Sequence, residues 1–203
     1  MKQAKINIKF LSIYFIIFVL TSCHSSNENV PKPYGYFRIS MPENTYQLFD
    51  NKKTPYIFEY STLAKIEERI DKPGQNWLNI VYPKHNATIY ITYHNVKNNL
   101  DTIINDSHNF TYRHIIKADA IDELTYFFPE KNVFGLYAEI EGNAASPIQF
   151  LLTDSVHNFI RGSLYFDAEP NCDSVAPVVD FIRKDILNLM QTLEWKSNLT
   201  KKK

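Results

Sequence analysis

Cys23 has the most definite chemistry in the chain, because of the order of what precedes it. Lys2, Lys5 and Lys9 form a positive N-terminal stretch, Phe10 to Leu20 is an apolar run, and Leu20-Thr21-Ser22-Cys23 follows at once. That order is a secretory signal, and Leu-Thr-Ser-Cys resembles the bacterial lipobox, whose cysteine is lipidated and becomes the first residue of the mature chain. The apolar run is about half of the roughly 20 residues a membrane-spanning helix needs, which argues against a permanent span. Each buried acyl methylene contributes about 0.8 kcal/mol, so the two or three chains such a cysteine carries would hold the protein on a membrane.

Little else in the chain has a reactive pattern. There is no H-E-x-x-H, C-x-x-C or G-x-S-x-G, and His24, His85, His94, His108, His114 and His157 lack a familiar metal-ligand spacing. The five glycines are scattered, which excludes the Gly-rich loops that cradle phosphates. Asp119 with Asp122 and Glu123, or Glu139 with Glu141, could in principle pair for glycoside hydrolysis, and Ser146 or Ser163 could serve as a nucleophile. Solvated acids at strand ends and serines outside any nucleophile elbow are the simpler reading, so no enzyme, metal or cofactor is expected. Cys172 is the single thiol left once Cys23 is acylated, so an internal disulfide is impossible and burial is expected.

Candidate contact residues come from unusual composition. Gly142-Asn143-Ala144-Ala145-Ser146-Pro147 joins two strong strands with small side chains, which would admit a partner's backbone and marks Asn143 and Ser146. Asp119, in a Lys117 to Ile121 segment that reads as the end of the first helix, is a further candidate. So is Arg161, beside Gly162, which marks either a bulge or a close approach in the last strand.

The elements that must position these residues are legible from periodicity. Residues 1–22 read as signal, 23–33 as a polar, Pro-rich tether, 34–196 as one domain and 197–203 as a basic tail. The chain holds 22 basic and 22 acidic side chains. Without its Lys-bearing leader it is slightly acidic, with no electrostatic reason to bind nucleic acid. Aromatic residues are frequent, with 14 Phe, 13 Tyr and 2 Trp, and favour strands. Alternation predicts strands at Tyr36 to Ile39, Tyr56 to Tyr60, Trp77 to Tyr82, Thr88 to Tyr93, Leu124 to Phe128, Val133 to Ile140, Ile148 to Thr153 and Phe159 to Phe166. Short Pro-, Asn- and Asp-bearing connections predict antiparallel pairing. A helical stripe of Leu100, Ile103, Ile104, Ser107, Phe110 and His114, capped by Asn98 or Asn99, predicts a first helix. A second runs from Val175 to Leu193 behind Ser174, with the stripe Val175, Val179, Ile182, Ile186, Leu189, Met190 and Leu193. The expected class is α+β, an antiparallel β-sheet with two main helices packed on it.

Trp77 to Lys84, Ala87 to Tyr93, Lys117 to Ile121, Gly142 to Phe150, Arg161 to Phe166 and Leu193 to Lys196, with the lipobox and the Pro31-Lys32-Pro33 tether, resemble the GldD family of gliding-motility lipoproteins. The resemblance implies an envelope lipoprotein of Bacteroidota, required for gliding, whose partners are other motility lipoproteins or the type IX secretion apparatus. It brings no catalytic residues. The element order also resembles, more loosely, the Mog1/PsbP-like fold. A domain facing the periplasm, on the outer membrane rather than the inner, is expected. The competing expectation is an envelope lipoprotein that binds or hydrolyses polysaccharide, with Tyr or Trp platforms such as Tyr90, Tyr137 or Tyr165 stacking sugars and carboxylates for hydrolysis.

Overall fold

The computed structural model describes residues 41–72, 75–113, 117–167 and 172–199, all within the compact unit Arg38–Lys203. The leader, Cys23, the tether, the strand expected at Tyr36 to Ile39, and His114 lie outside them. The strands are β1 (Tyr46–Asp50), β2 (Tyr56–Ser61), β3 (Lys65–Lys72), β4 (Gln75–Tyr82), β5 (Ala87–Asn95), β6 (Ala118–Phe128), β7 (Val133–Gly142), β8 (Ile148–Thr153), β9 (Asn158–Phe166) and β10 (Glu194–Trp195). The helices are α1 (Leu100–Tyr112), α2 (Cys172–Thr192) and the short α3 (Lys196–Leu199). A three-stranded sheet has the order β1-β2-β10 and a seven-stranded one β3-β4-β5-β9-β8-β7-β6. Every neighbouring pair is antiparallel, so the α+β class holds, with two sheets rather than one.

The pairing follows from turn chemistry. Asn86, Asn132 and Ser155 take positive φ in the β4–β5, β6–β7 and β8–β9 turns, the left-handed conformation asparagine tolerates best. In the last of these, Asp154 Oδ1 accepts backbone N–H bonds from Val156, His157 and Asn158, and Asp154 Oδ2 accepts from Asn158 Nδ2 at 2.6 Å. Tyr93 then donates to Asn158 Oδ1 at 2.9 Å, locking the turn to β5.

One face of the large sheet carries Leu78, Ile80, Ile89, Ile91, Phe150, Leu152, Ile160 and Leu164, packed with Ile182, Ile186, Leu189 and Met190 of α2 and with Tyr56, Phe58 and Trp195 of the small sheet. Fully burying each such side chain is worth about 1.5–3 kcal/mol, so this face carries most of the fold's cohesion. The α2 stripe therefore packs as expected. The helix begins earlier than Val175, which places Pro177 inside it. The same buried face includes one acid: Asp185 accepts from Asn44 Nδ2 at 2.6 Å and from Tyr82 Oη at 2.9 Å.

Other expectations need correction. The first helix buries Ser107 and Thr111, while Phe110 is exposed, because the sheet beneath it presents Gln149 and Arg161 rather than apolar side chains. Asn99 stands at its N-cap position without a side-chain cap; its Oδ1 accepts from Lys97 N instead. Lys117 to Ile121 is not a helix end, since β6 starts at Ala118. On β7 the α2-facing side is Val133, Gly135 and Tyr137, and the more apolar alternate, Phe134 and Leu136, faces away. β1, β3 and β10 were not anticipated. β3 is dominated by charge because it is an edge strand, where charge deters pairing with other chains.

Candidate functional site

On the sheet face away from α2, Arg161 of β9 lies in register between Thr92 of β5 and Leu151 of β8. Above it α1 crosses, held by Thr111 Oγ1, which donates to Gln149 Oε1 at 3.1 Å. Arg161 Nη2 donates to the same oxygen at 2.9 Å. Two donors thus converge on one side-chain carbonyl that is almost wholly buried, fixing helix and strand together. The amide nitrogen Nε2 of Gln149 is buried without a partner.

Between α1 and the sheet lies a cleft of about 360 Å³. The sheet supplies Trp77, Thr92, His94 and Arg161, with Phe159 beneath, and the helix supplies Ile103, Asp106 and Phe110. Trp77 and Phe110 are each 44% exposed, so the aromatic walls are open to solvent. The Arg161 guanidinium carbon stands 4.6 Å from the Phe110 ring centre and that of Arg113 5.1 Å from it. Among the described residues no carboxylate pairs with Arg161, although Asp106 lines the same cleft.

Burial depresses the Arg161 pKa below the usual guanidinium range, a shift partly opposed by Tyr165. His94 is also lowered, first by burial and then by the Arg161 charge. A partly buried cation with aromatic neighbours is chemically suited to bind an anion carried on an apolar body.

The residues singled out from sequence do not converge on this cleft. Asp119 is exposed at an irregularity in β6 between Ala118 and Ala120, beside Gly142, where a Cβ would meet Asp119 Oδ2 at 2.8 Å. Asn143 follows at the same sheet end and is exposed. Ser146 is fully buried and donates to the Ile148 carbonyl at 3.3 Å, so it braces the connection from within rather than offering a contact. Arg161 aligns through Leu151 and Leu136 with Thr125 of β6, about 20 Å along the strand from Asp119 at about 3.3 Å per residue. Sequence reasoning found Arg161 but missed Trp77, His94, Gln149 and Phe110 as its company. Phe110 was assigned to a buried stripe.

A second exposed aromatic pair lies toward the β6 edge, where the Phe127 and Phe134 rings stack at 4.5 Å. Among the described residues no cluster of three or more His, Cys, Asp or Glu side chains is placed to hold a metal. Among them, too, no helix is long and apolar enough to cross a membrane. Glu139 is engaged by Arg183 and by Tyr137 Oη, the latter at 3.2 Å, and Glu123 faces His108 Nδ1 at 4.0 Å.

The family model for the gliding motility lipoprotein GldD matches residues 26–195. The chain belongs to the GldD family. As a GldD lipoprotein it is a gliding-motility-related protein anchored in the cell envelope, and the matched span includes the whole cleft. No curated protein sequence matches the chain significantly. Matches among solved structures include the solution structure of cyanobacterial PsbP (CyanoP) from Synechocystis sp. PCC 6803, at 12% identity and a TM-score of 0.43, covering 75% of this chain and 97% of that one.

Proposed function

We propose that this GldD-family lipoprotein is a non-enzymatic structural or assembly component of the gliding machinery. It is held by its Cys23 lipid on the periplasmic side of the outer membrane and binds protein partners of the motility and type IX secretion apparatus. The observation that supports binding is the sheet face away from α2. There α1 leaves Trp77, Tyr90 and Phe110 exposed on one side and Phe127 and Phe134 on the other. Several large exposed aromatics gathered on one sheet face are the composition of a protein contact surface.

The polysaccharide reading has less support. Tyr137 is buried in the core and Tyr90 packs edge-on against Tyr165 at 5.7 Å. Among the described residues the cleft lining contains a single carboxylate, Asp106, where hydrolysis would need two. A clean deletion should abolish spreading on agar and lower the abundance of partner motility lipoproteins. Unimpaired spreading of the deletion strain would overturn the proposal.

A further inference from the structure

Among the described residues Arg161 forms no ion pair, although Asp106 lines the same cleft. Taking a guanidinium out of water is costly unless it is paired, and here the described partners are one neutral amide oxygen and one aromatic ring. A second guanidinium, Arg113, lies against the same Phe110 ring and likewise has no ion pair among the described residues. Two guanidinium groups thus flank Phe110, with Asp106 as the one carboxylate among the described lining residues. Yet the lining also includes Trp77, Phe110, Ile103 and Phe159, which favour an apolar group.

The volume fits one or two side chains of an extended segment rather than a folded element. Asp106, in the same lining, disfavours a second negative charge and so selects against a polyanion. A sugar ring would also need several free hydroxyl partners. Ser107, the nearest helix hydroxyl, already donates to the Ile103 carbonyl at 2.9 Å.

We infer that this cleft receives a single carboxylate next to an apolar side chain on an extended segment of a protein partner. Arg161 is the carboxylate ligand, and Trp77 and Phe110 are walls for the apolar neighbour. The inference rests on the partner-binding reading above and names the chemistry of the partner.

The protein carries its own reporter, since it has two tryptophans, Trp77 at the cleft and Trp195 fully buried. The intact lipoprotein in detergent would be titrated with N-acetyl-Phe-Asp-amide, with N-acetyl-Phe-Asn-amide, and with oligoglucuronate. The Asp peptide should change the tryptophan emission saturably, the change should vanish in Trp77→Phe, and the Asn peptide should bind at least about tenfold more weakly. Arg161→Gln should lose a similar factor. If that variant melts early, Thr92→Glu, which places an internal carboxylate at the strand position paired with Arg161, should block binding in a folded protein.

Equal binding of the Asn peptide, or no saturable change, would overturn the inference. Tighter binding of oligoglucuronate would reassign the cleft to a sugar acid. A strain carrying Arg161→Gln that spreads normally, where the deletion strain does not, would remove the cleft inference and leave the motility role standing.

Discussion

Arg161 and Phe110 meet across the α1–sheet junction, the guanidinium 4.6 Å from the ring centre. A strand cation singled out as a contact candidate and a helix aromatic expected on a buried stripe are thus joined at the mouth of an open cleft. The pair should contribute to the docking of α1. A double-mutant cycle of Arg161→Ala and Phe110→Ala in urea unfolding should give a coupling of about 0.5–2 kcal/mol. Additive effects would show that the contact is incidental.

Gly162 permits a second close approach. A Cβ there would lie 2.1 Å from Phe150 Cζ, its register neighbour on β8. The ladder runs through Gly162 without interruption, so close contact rather than a bulge explains the glycine. Gly162→Ala should cost about 1–3 kcal/mol through forced displacement of the ring. Adding Phe150→Leu should recover part of the loss in thermal melts.

Two buried acids should bend stability with pH in opposite directions. At Asp185 burial raises the pKa and outweighs the hydrogen bonds from Asn44, Tyr82, Tyr46 and Ser61. Its folded pKa exceeds the unfolded value of about 3.9, so its stability contribution is greatest below that pH and declines as pH rises toward the folded value. Asp185→Asn should remove that decline in urea titrations across the acid range.

At Asp154 burial also pushes upward. The backbone N–H donors of Asn158, His157 and Val156, with the Asn158 side chain, outweigh it and hold the carboxyl below its usual value. Stability from Asp154 is present above about pH 3.9 and lost as pH falls through the folded pKa. Asp154→Asn should destabilise the protein at neutral pH and flatten the acid limb of its stability profile.

In the proposed reading a lipid on Cys23 sets the location. Cys23→Ala should move the protein from the membrane to the soluble fraction on centrifugation, and continued sedimentation with membranes would place the anchor elsewhere.

How much of this was legible depended on whether a signal was local. Ile148 to Thr153 alternates and is bounded by turn formers, and β8 has those limits. The α2 stripe was equally plain, because it faces an apolar sheet surface. The α1 stripe misled because the surface beneath it is Gln149 and Arg161, so its short polar residues face inward and Phe110 faces the cleft. Nothing local in Lys65 to Lys72 marks a strand; its partner β4 makes it one. The cleft gathers residues from β4, β5, α1 and β9, which only register brings together. Arg161 was visible as unusual, but its neighbours were not.

Anchoring and cleft binding are both required if this chain tethers a partner-binding domain for motility. The most direct measurement is colony spreading of a clean deletion strain complemented at equal protein level with the wild-type, Cys23→Ala and Arg161→Gln alleles. Wild type should restore spreading while neither variant does so fully. A deletion strain that spreads normally, or full rescue by either variant, would contradict the role assigned to the tethered domain.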